Sequence, residues 1–261
     1  MNHLELFSGT HSFGKVSHKL GYNVVSLDRD LTGKCPFTDY VSETHIMEDI
    51  MTWDYKIYKP NHFKLITASP VCLWWSALRR TWVGRKCKSI HPTETITMEL
   101  LQQDIQKFGE PMVDKIREII DYFNPEYYII ENPQTGLMKS YITDLPFYDV
   151  DYCKYSNWGY QKRTRFWTNI KGFEPKKCKR DCENIATIGN NQRIHKHNMA
   201  CSKVVISDDG KIINCNTAKL REKYRDYNNM IETPAKGEGN TILNRYRIPE
   251  ILINELLLKI Q

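Results

Sequence analysis

Glu5-Leu6-Phe7-Ser8-Gly9-Thr10-His11-Ser12-Phe13-Gly14 is the stretch whose reading decides the fold. Residues 3–7 form an apolar run that reads as a strand and ends in small residues. Residues 14–20 then read as a short helix, stopped by Gly21. Two glycines between strand and helix permit a tight turn and let a ligand approach the backbone. Outward from this turn the pattern repeats. A second β-branched run, 23–27, ends at Asp28. A third, 63–67, ends in Ala68-Ser69-Pro70, and a fourth, 127–130, runs into Glu131-Asn132-Pro133. Between the last two, 93–123 has mostly helical spacing. Met112, Ile116, Ile119 and Ile120 mark its apolar face, with an interruption near Gly109-Glu110-Pro111. Strands alternating with helices predict an α/β fold with a mainly parallel sheet covered on both faces. Ligands of such sheets bind beyond the carboxyl ends of the strands. Gly9, Asp28, Cys72 and Glu131 each lie at or just past such an end.

The chain has 261 residues, 41% hydrophobic and 26% charged, enough for one large domain or one domain with a small lobe. This composition excludes collagen, low-complexity disorder and a disulfide-stapled mini-protein. No apolar run is long enough for a transmembrane helix. The start has no basic leader followed by an apolar stretch, so a cytoplasmic or nuclear, non-secreted protein is expected. In that setting the eight cysteines read as thiols for catalysis or metal binding. The net charge of +6 mildly favours a polyanionic partner. A monomer is assumed, with no membrane association. After about residue 166 the character changes. Residues 169–240 are rich in Lys, Asn and Cys and read as a small second lobe. Residues 241–261 return to an apolar helical pattern (Ile251, Leu252, Leu256, Leu257, Ile260), expected to pack back on a first domain spanning 1–168.

Several segments carry chemistry. Asp28 can accept hydrogen bonds from both hydroxyls of a ribose, and Asp49 from an adenine amine, although a plain structural turn explains the glycines equally well. Thr67-Ala68-Ser69-Pro70-Val71-Cys72-Leu73-Trp74-Trp75-Ser76 puts a thiol in a strand-to-loop turn. Backbone amides facing such a thiol lower its pKa and make it a nucleophile; a buried core cysteine is the plainer alternative. Arg79, Arg80, Arg85, Lys86 and Lys88 follow within ten residues with no acid among them, as a phosphate-bearing substrate would require. Glu131 stands at a strand end inside an apolar stretch. Desolvation there raises its pKa and lets it donate a proton near neutrality; a salt-bridged or capping Glu is the alternative. Gln161, Arg163 and Arg165 share one face of an extended strand, two guanidinium forks suited to a phosphate or ring carbonyl. Window 154–180 holds nine Lys/Arg against the single Glu174, so positive charge is concentrated there.

The order of these segments resembles the cytosine-C5 methyltransferases that use S-adenosylmethionine. The family's Phe-x-Gly turn is matched by Phe7-Ser8-Gly9, its acidic residue after the second strand by Asp28, and its Asp-Ile pair by Asp49-Ile50. The nucleophile segment Pro-Cys-Gln-x-Phe-Ser is matched in part by Cys72 to Ser76, with Pro70 close by. Glu-Asn-Val is matched by Glu131-Asn132-Pro133, and Gln-x-Arg-x-Arg by Gln161, Arg163 and Arg165. The closing Asn is matched by Asn244 before Pro249. Val71 and Leu73 depart from the family's Pro and Gln. The resemblance covers about 1–170 and 240–261. It implies a Rossmann-like methyltransferase domain. It places the cofactor on Phe7, Gly9, Asp28, Asp49, Ile50, Pro70 and Asn244, and the chemistry on Cys72, Glu131, Arg163 and Arg165. Nucleic-acid contacts fall to Ser76, Arg79, Arg80, Arg85 and Gln161. The implied reaction is methylation of C5 of a flipped cytosine in DNA through a covalent Cys adduct. The same chemistry on RNA, and an inactive nucleic-acid-binding protein of the same fold, are the alternatives.

The lobe offers one more set. Cys178-x3-Cys182, His195, His197 and Cys201 supply soft ligands for a tetrahedral zinc ion, with Cys178, Cys182, His195 and Cys201 as the ligand set. Unlinked loop residues are the plainer reading.

Overall fold

A computed structural model describes residues 1–29, 42, 44–87, 89–188, 192–195, 204–206, 212–214, 218–223, 230–231 and 246–261. Its centre is a seven-stranded sheet of β1 (Asn2–Leu6), β2 (Asn23–Leu27), β3 (Thr44–Ile46), β4 (Leu65–Ala68), β5 (Tyr127–Pro133), β6 (Phe147–Asp151) and β7 (Arg163–Thr168), in the order β3-β2-β1-β4-β5-β7-β6. Strands β1 to β5 pair in parallel, and β7 runs antiparallel between β5 and β6. The α/β reading therefore holds.

The sequence explains the two-sided burial. All four residues of β4 are buried, as expected for a central parallel strand covered on both faces. Alternate residues then sort to two cores. Leu65 and Ile129 join Phe13 and Val16 of α1 (Ser12–Lys19) and Leu252, Ile253, Leu256 and Leu257 of the C-terminal helix (Glu250–Leu257). Ile66 and Ile130 join Val113, Ile116, Ile119 and Phe123 of the long helix Glu110–Phe123. The C-terminal helix is also tied to α1 by ion pairs from Lys15 and Lys19 to Glu250, each 2.8 Å.

The helical expectation for 93–123 needs correction at both its start and its middle. His91–Thr95 is a strand paired with Lys86–Cys87, and the helix begins only at Met98, where Thr97 Oγ1 accepts from Leu100 N at 3.1 Å. Near Gly109 the helix widens into a π-turn, Ile105–Gly109, instead of breaking. A Cβ on Gly109 would lie 3.0 Å from the Trp75 ring, so only glycine lets that indole press on the helix backbone. Pro111 sits in the first turn of Glu110–Phe123, where its missing N–H is tolerated.

Beyond the sheet, Ile185–Ile188 and Gln192–His195 form an antiparallel hairpin, and Val204–Ile206, Ile212–Asn214 and Met230–Ile231 a three-stranded one. Among the described residues, no helix is long and apolar enough to cross a membrane.

Candidate active site

The turn after β1 is organised by Glu5, which no motif in the sequence marks out. Its buried carboxylate accepts from Phe13 N (3.1 Å), Gly14 N (2.8 Å) and Ser26 Oγ (3.1 Å), and lies 3.3 Å from His11 Nδ1. Burial would raise its pKa. The His11 hydrogen bond and charge, the His3 charge and the Gly14 amide outweigh that and hold it below the usual value. One carboxylate thus fixes the start of α1 against β1 and β2. Glu5→Ala leaves two amides and a hydroxyl without their partner. A loss of about 2–4 kcal/mol of stability is expected in denaturant unfolding. The contribution is present above about pH 4.5 and fades as pH falls through the lowered folded pKa.

Around this turn the backbone takes left-handed conformations at Phe7 (φ 55°), Gly9 (φ 47°) and His11 (φ 48°). Gly9 N donates to Asp28 Oδ2 at 3.0 Å, which joins the ends of β1 and β2. Asp28 N in turn donates to Ile46 O of β3. Asp49 is partly exposed, caps the next turn through Met51 N at 3.0 Å, and lies 3.8 Å from Arg29. Phe7 packs on the core that contains Ile50 and Ala68. Ile50 is only 4% exposed and belongs to the core beneath this turn, not to an open surface. Ser8 Oγ is buried with no partner among the described residues, an orphan polar atom within the turn. Two carboxylates at the strand ends and the apolar flank of Phe7 suit a nucleoside-bearing ligand. Asn244 lies outside the described residues.

Cys72 lies in the loop just past β4, and Glu131 lies near the carboxyl end of the neighbouring β5, which runs on to Pro133. The two loops are clamped together: Asn132 Nδ2 donates to Pro70 O at 3.0 Å, and Leu137 N to Trp75 O at 2.7 Å. Trp75 N and Ser76 N close the Cys72 loop on Cys72 O and Leu73 O, both at 3.2 Å. Pro70 is buried under this clamp, and Ser76 is partly exposed. Glu131 is buried, and burial raises its pKa. The Lys162 cation and hydrogen bonds from Tyr152 (3.2 Å) and Ser69 lower it in part. Cys72 is partly buried. Burial pushes its thiol up, Lys162 pulls it down, and the Glu131 charge pushes it up again. The expectation of a turn-activated thiolate is therefore corrected: desolvation outweighs the amides. Lys162, which acts on both groups, is the site residue that sequence reasoning passed over. It sits at φ 33° with its Nζ 4.8 Å above the Tyr152 ring. The signal was its place inside Gln161-Lys162-Arg163.

The arginine strand differs from its expected form. Lys162 breaks the extended backbone, so β7 starts at Arg163. Gln161 lies outside it and hydrogen-bonds to Asp151. Arg163 and Arg165 do share a face, but each is held by a carboxylate of β6. Arg163 Nε and Nη2 reach Asp151 at 2.8 and 2.9 Å, and Arg165 Nε and Nη2 reach Asp149 at 2.7 and 2.9 Å. The register sets Glu131 opposite Phe166, and Arg165 opposite Asn132. Directly paired residues share a face, so both arginines project from the face opposite Glu131. Arg165 also lies 3.5 Å from the Phe147 ring centre.

Arg79 was expected to meet nucleic acid. It is 2% exposed instead, hydrogen-bonded to Asp104 and lying over the rings of Trp74 and Trp82. Asp104 also pairs with His91 Nε2 at 2.8 Å. A buried carboxylate 25 residues away captures this guanidinium, whereas Arg80 and Arg85 stay exposed. Lys88 lies outside the described residues.

The lobe thiols do converge, with one change. Cys153, Cys178, Cys182 and His195 offer ligand atoms that all lie within 4.8 Å of one another. Cys153 was not in the expected set, and Cys201 and His197 lie outside the described residues.

No protein-family model matches the chain. Over 189 residues, 71% of this chain and 79% of the relative, it is 40% identical to the "Probable DNA (cytosine-5)-methyltransferase" of Frog virus 3 (isolate Goorha). Among solved structures, the Entamoeba histolytica methyltransferase EhMeth superposes with a TM-score of 0.56 at 12% identity, covering 99% of this chain and 97% of that one. The S. pombe Dnmt2 methyltransferase superposes with a TM-score of 0.42 at 16% identity; 67% of this chain spans about half (51%) of that one. The chain belongs to the DNA (cytosine-5)-methyltransferase family.

Proposed function

We propose that this protein methylates C5 of cytosine in DNA with S-adenosylmethionine, through a covalent bond between Cys72 Sγ and cytosine C6. The observation that carries the reading is the clamped pair of strand ends that sets Cys72 and Glu131 in one another's field, with Lys162 acting on both. Cytosine C5 is a poor nucleophile. Addition of the Cys72 thiolate to C6 makes C5 an enamine carbon. Glu131 gives its proton to N3, which balances the charge that the thiolate brings into the ring. Bound beside Phe7, Gly9, Asp28, Asp49, Pro70 and Asn244, S-adenosylmethionine supplies an electrophilic methyl group. Loss of the C5 proton to solvent water, departure of Cys72 as thiolate and return of the N3 proton to the Glu131 carboxylate then restore neutral cytosine and the starting protein. Lys162 stabilises the thiolate before attack and the carboxylate after proton transfer. Arg163, partly exposed and braced by Asp151 on the face opposite Glu131, is left to a phosphate of the bound strand, while Arg165, braced by Asp149, holds β7 in place. C5 cannot be reached inside a duplex, so the base is flipped out.

Ser76, Arg80, Arg85 and Gln161 provide further nucleic-acid contacts in this reading. Residues 1–168 with the returning helix form the catalytic domain, and 169–240 a target-recognition lobe. Binding to a DNA duplex should weaken steeply with salt. Arg80→Ala and Arg85→Ala should each lower the slope of log affinity against log salt by about 1. Titration between about 50 and 200 mM salt checks this, and unchanged slopes would remove both residues from the interface.

The test of function is incubation with methyl-labelled S-adenosylmethionine and either duplex DNA or RNA, followed by nucleoside mass spectrometry. 5-Methylcytosine in the DNA is expected. Label in RNA alone would transfer the chemistry to RNA. Nucleic-acid binding with no label on either would mark an inactive binding protein.

A further inference from the structure

We infer that Cys153, Cys178, Cys182 and His195 bind a zinc ion that fastens the second lobe to the chain just past the edge strand β6, two strands from Glu131. Three thiols and an imidazole within 4.8 Å form the soft, four-ligand set of a closed structural zinc site. Tetrahedral zinc, with its ordinary bond lengths to sulfur and nitrogen, places those two atoms about 3.6 Å apart. His195 Nε2 lies 3.5 Å from Cys178 Sγ and 3.6 Å from Cys182 Sγ.

The supporting groups are those a metal site needs. Arg180 N donates to Cys178 Sγ at 3.3 Å, from a left-handed turn (Arg180, φ 61°) between the two cysteines. Such an amide stabilises a metal-bound thiolate. The hairpin register sets His195 opposite Ile185, which brings the imidazole to Cys182. Asn184 Nδ2 donates to Cys153 O at 3.0 Å and holds the fourth ligand in place. A lobe with few apolar periods gains its order from such a bond.

The site touches the chemistry through three consecutive residues. Asp151 accepts Cys178 N at 2.7 Å and holds Arg163, Tyr152 donates to Glu131, and Cys153 is the ligand. The link to catalysis rests on the role proposed for Glu131; the metal site itself does not.

The test is metal content of the full-length protein, purified without chelator and measured by atomic emission. About one equivalent of zinc is expected in the wild type and in Cys87→Ser, and less than a tenth in Cys153→Ser and Cys182→Ser. These variants can misfold, so the native protein is also exchanged with cobalt(II). The intense visible bands and thiolate charge-transfer absorption of tetrahedral cobalt are expected. Wild type without metal and without the cobalt spectrum overturns the site, as does a disulfide among these cysteines. Full metal in Cys153→Ser together with its loss in Cys201→Ala overturns the assignment of Cys153. None of these readouts depends on methyl transfer, so failure of the metal site and failure of the proposed function are separable.

Discussion

Cys72→Ala abolishes methyl transfer, with kcat/KM expected to fall at least about 10³-fold, while binding of cofactor and DNA is retained. The factor corresponds to about 4 kcal/mol of lost transition-state stabilisation. Its origin is chemical. Without addition at C6, C5 has too little electron density to attack a methyl group. A serine does not restore it, because a hydroxyl at that position stays protonated where a thiol ionises. The loop fold does not depend on the sulfur: it is closed by backbone bonds from Trp75 and Ser76 and by Asn132 on Pro70. Unchanged thermal unfolding of the variant, beside lost activity in the labelled-methyl assay, is the expected pair of results. Wild-type activity in Cys72→Ala would remove this residue from the chemistry.

Glu131→Gln is expected to cost about 10²- to 10⁴-fold in kcat, the usual range for a positioned proton donor. The amide keeps the size and can still face the N3 edge, but it has no proton to give. Burial raises the Glu131 pKa, so the carboxyl keeps its proton to higher pH than an exposed glutamate. Burial also raises Cys72, whose thiolate grows in with rising pH. The wild-type rate should therefore be bell-shaped in pH, with the acidic limb from the thiol and the alkaline limb from the carboxyl. Lys162 lowers both pKa values, so Lys162→Met should move both limbs to higher pH. A pH–rate profile of Lys162→Met that overlays the wild type would exclude that cation from the site.

The sequence made the strand-end chemistry legible and hid what depends on contacts far along the chain. Gly9, Asp28, Cys72 and Glu131 stand out because polar or small residues interrupt apolar runs, and that interruption marks a strand end on any parallel sheet. Arg79 and Arg80 are indistinguishable by type and by local charge; only Asp104, buried in another helix, separates them. Phe147–Asp151 is not legible as a strand because its two aspartates look like surface residues until the arginines of the next strand are set opposite them. Cys153 was missed for the same reason. It lies 25 residues before Cys178, on a different element, and no spacing rule reaches that far. Lys162 carries no motif of its own, and its left-handed backbone, which turns it toward Tyr152, is invisible in a run of cations.

The central claim is the bond between Cys72 Sγ and C6 of the target base. A DNA duplex containing 5-fluorocytosine, incubated with the protein and S-adenosylmethionine, blocks the final loss of the C5 substituent and traps that bond. Mass spectrometry of the digested complex should locate the nucleotide on the peptide bearing Cys72, and the adduct should vanish in Cys72→Ala. A protein that methylates ordinary DNA cytosine yet forms no adduct, or forms it on another cysteine, would contradict the account.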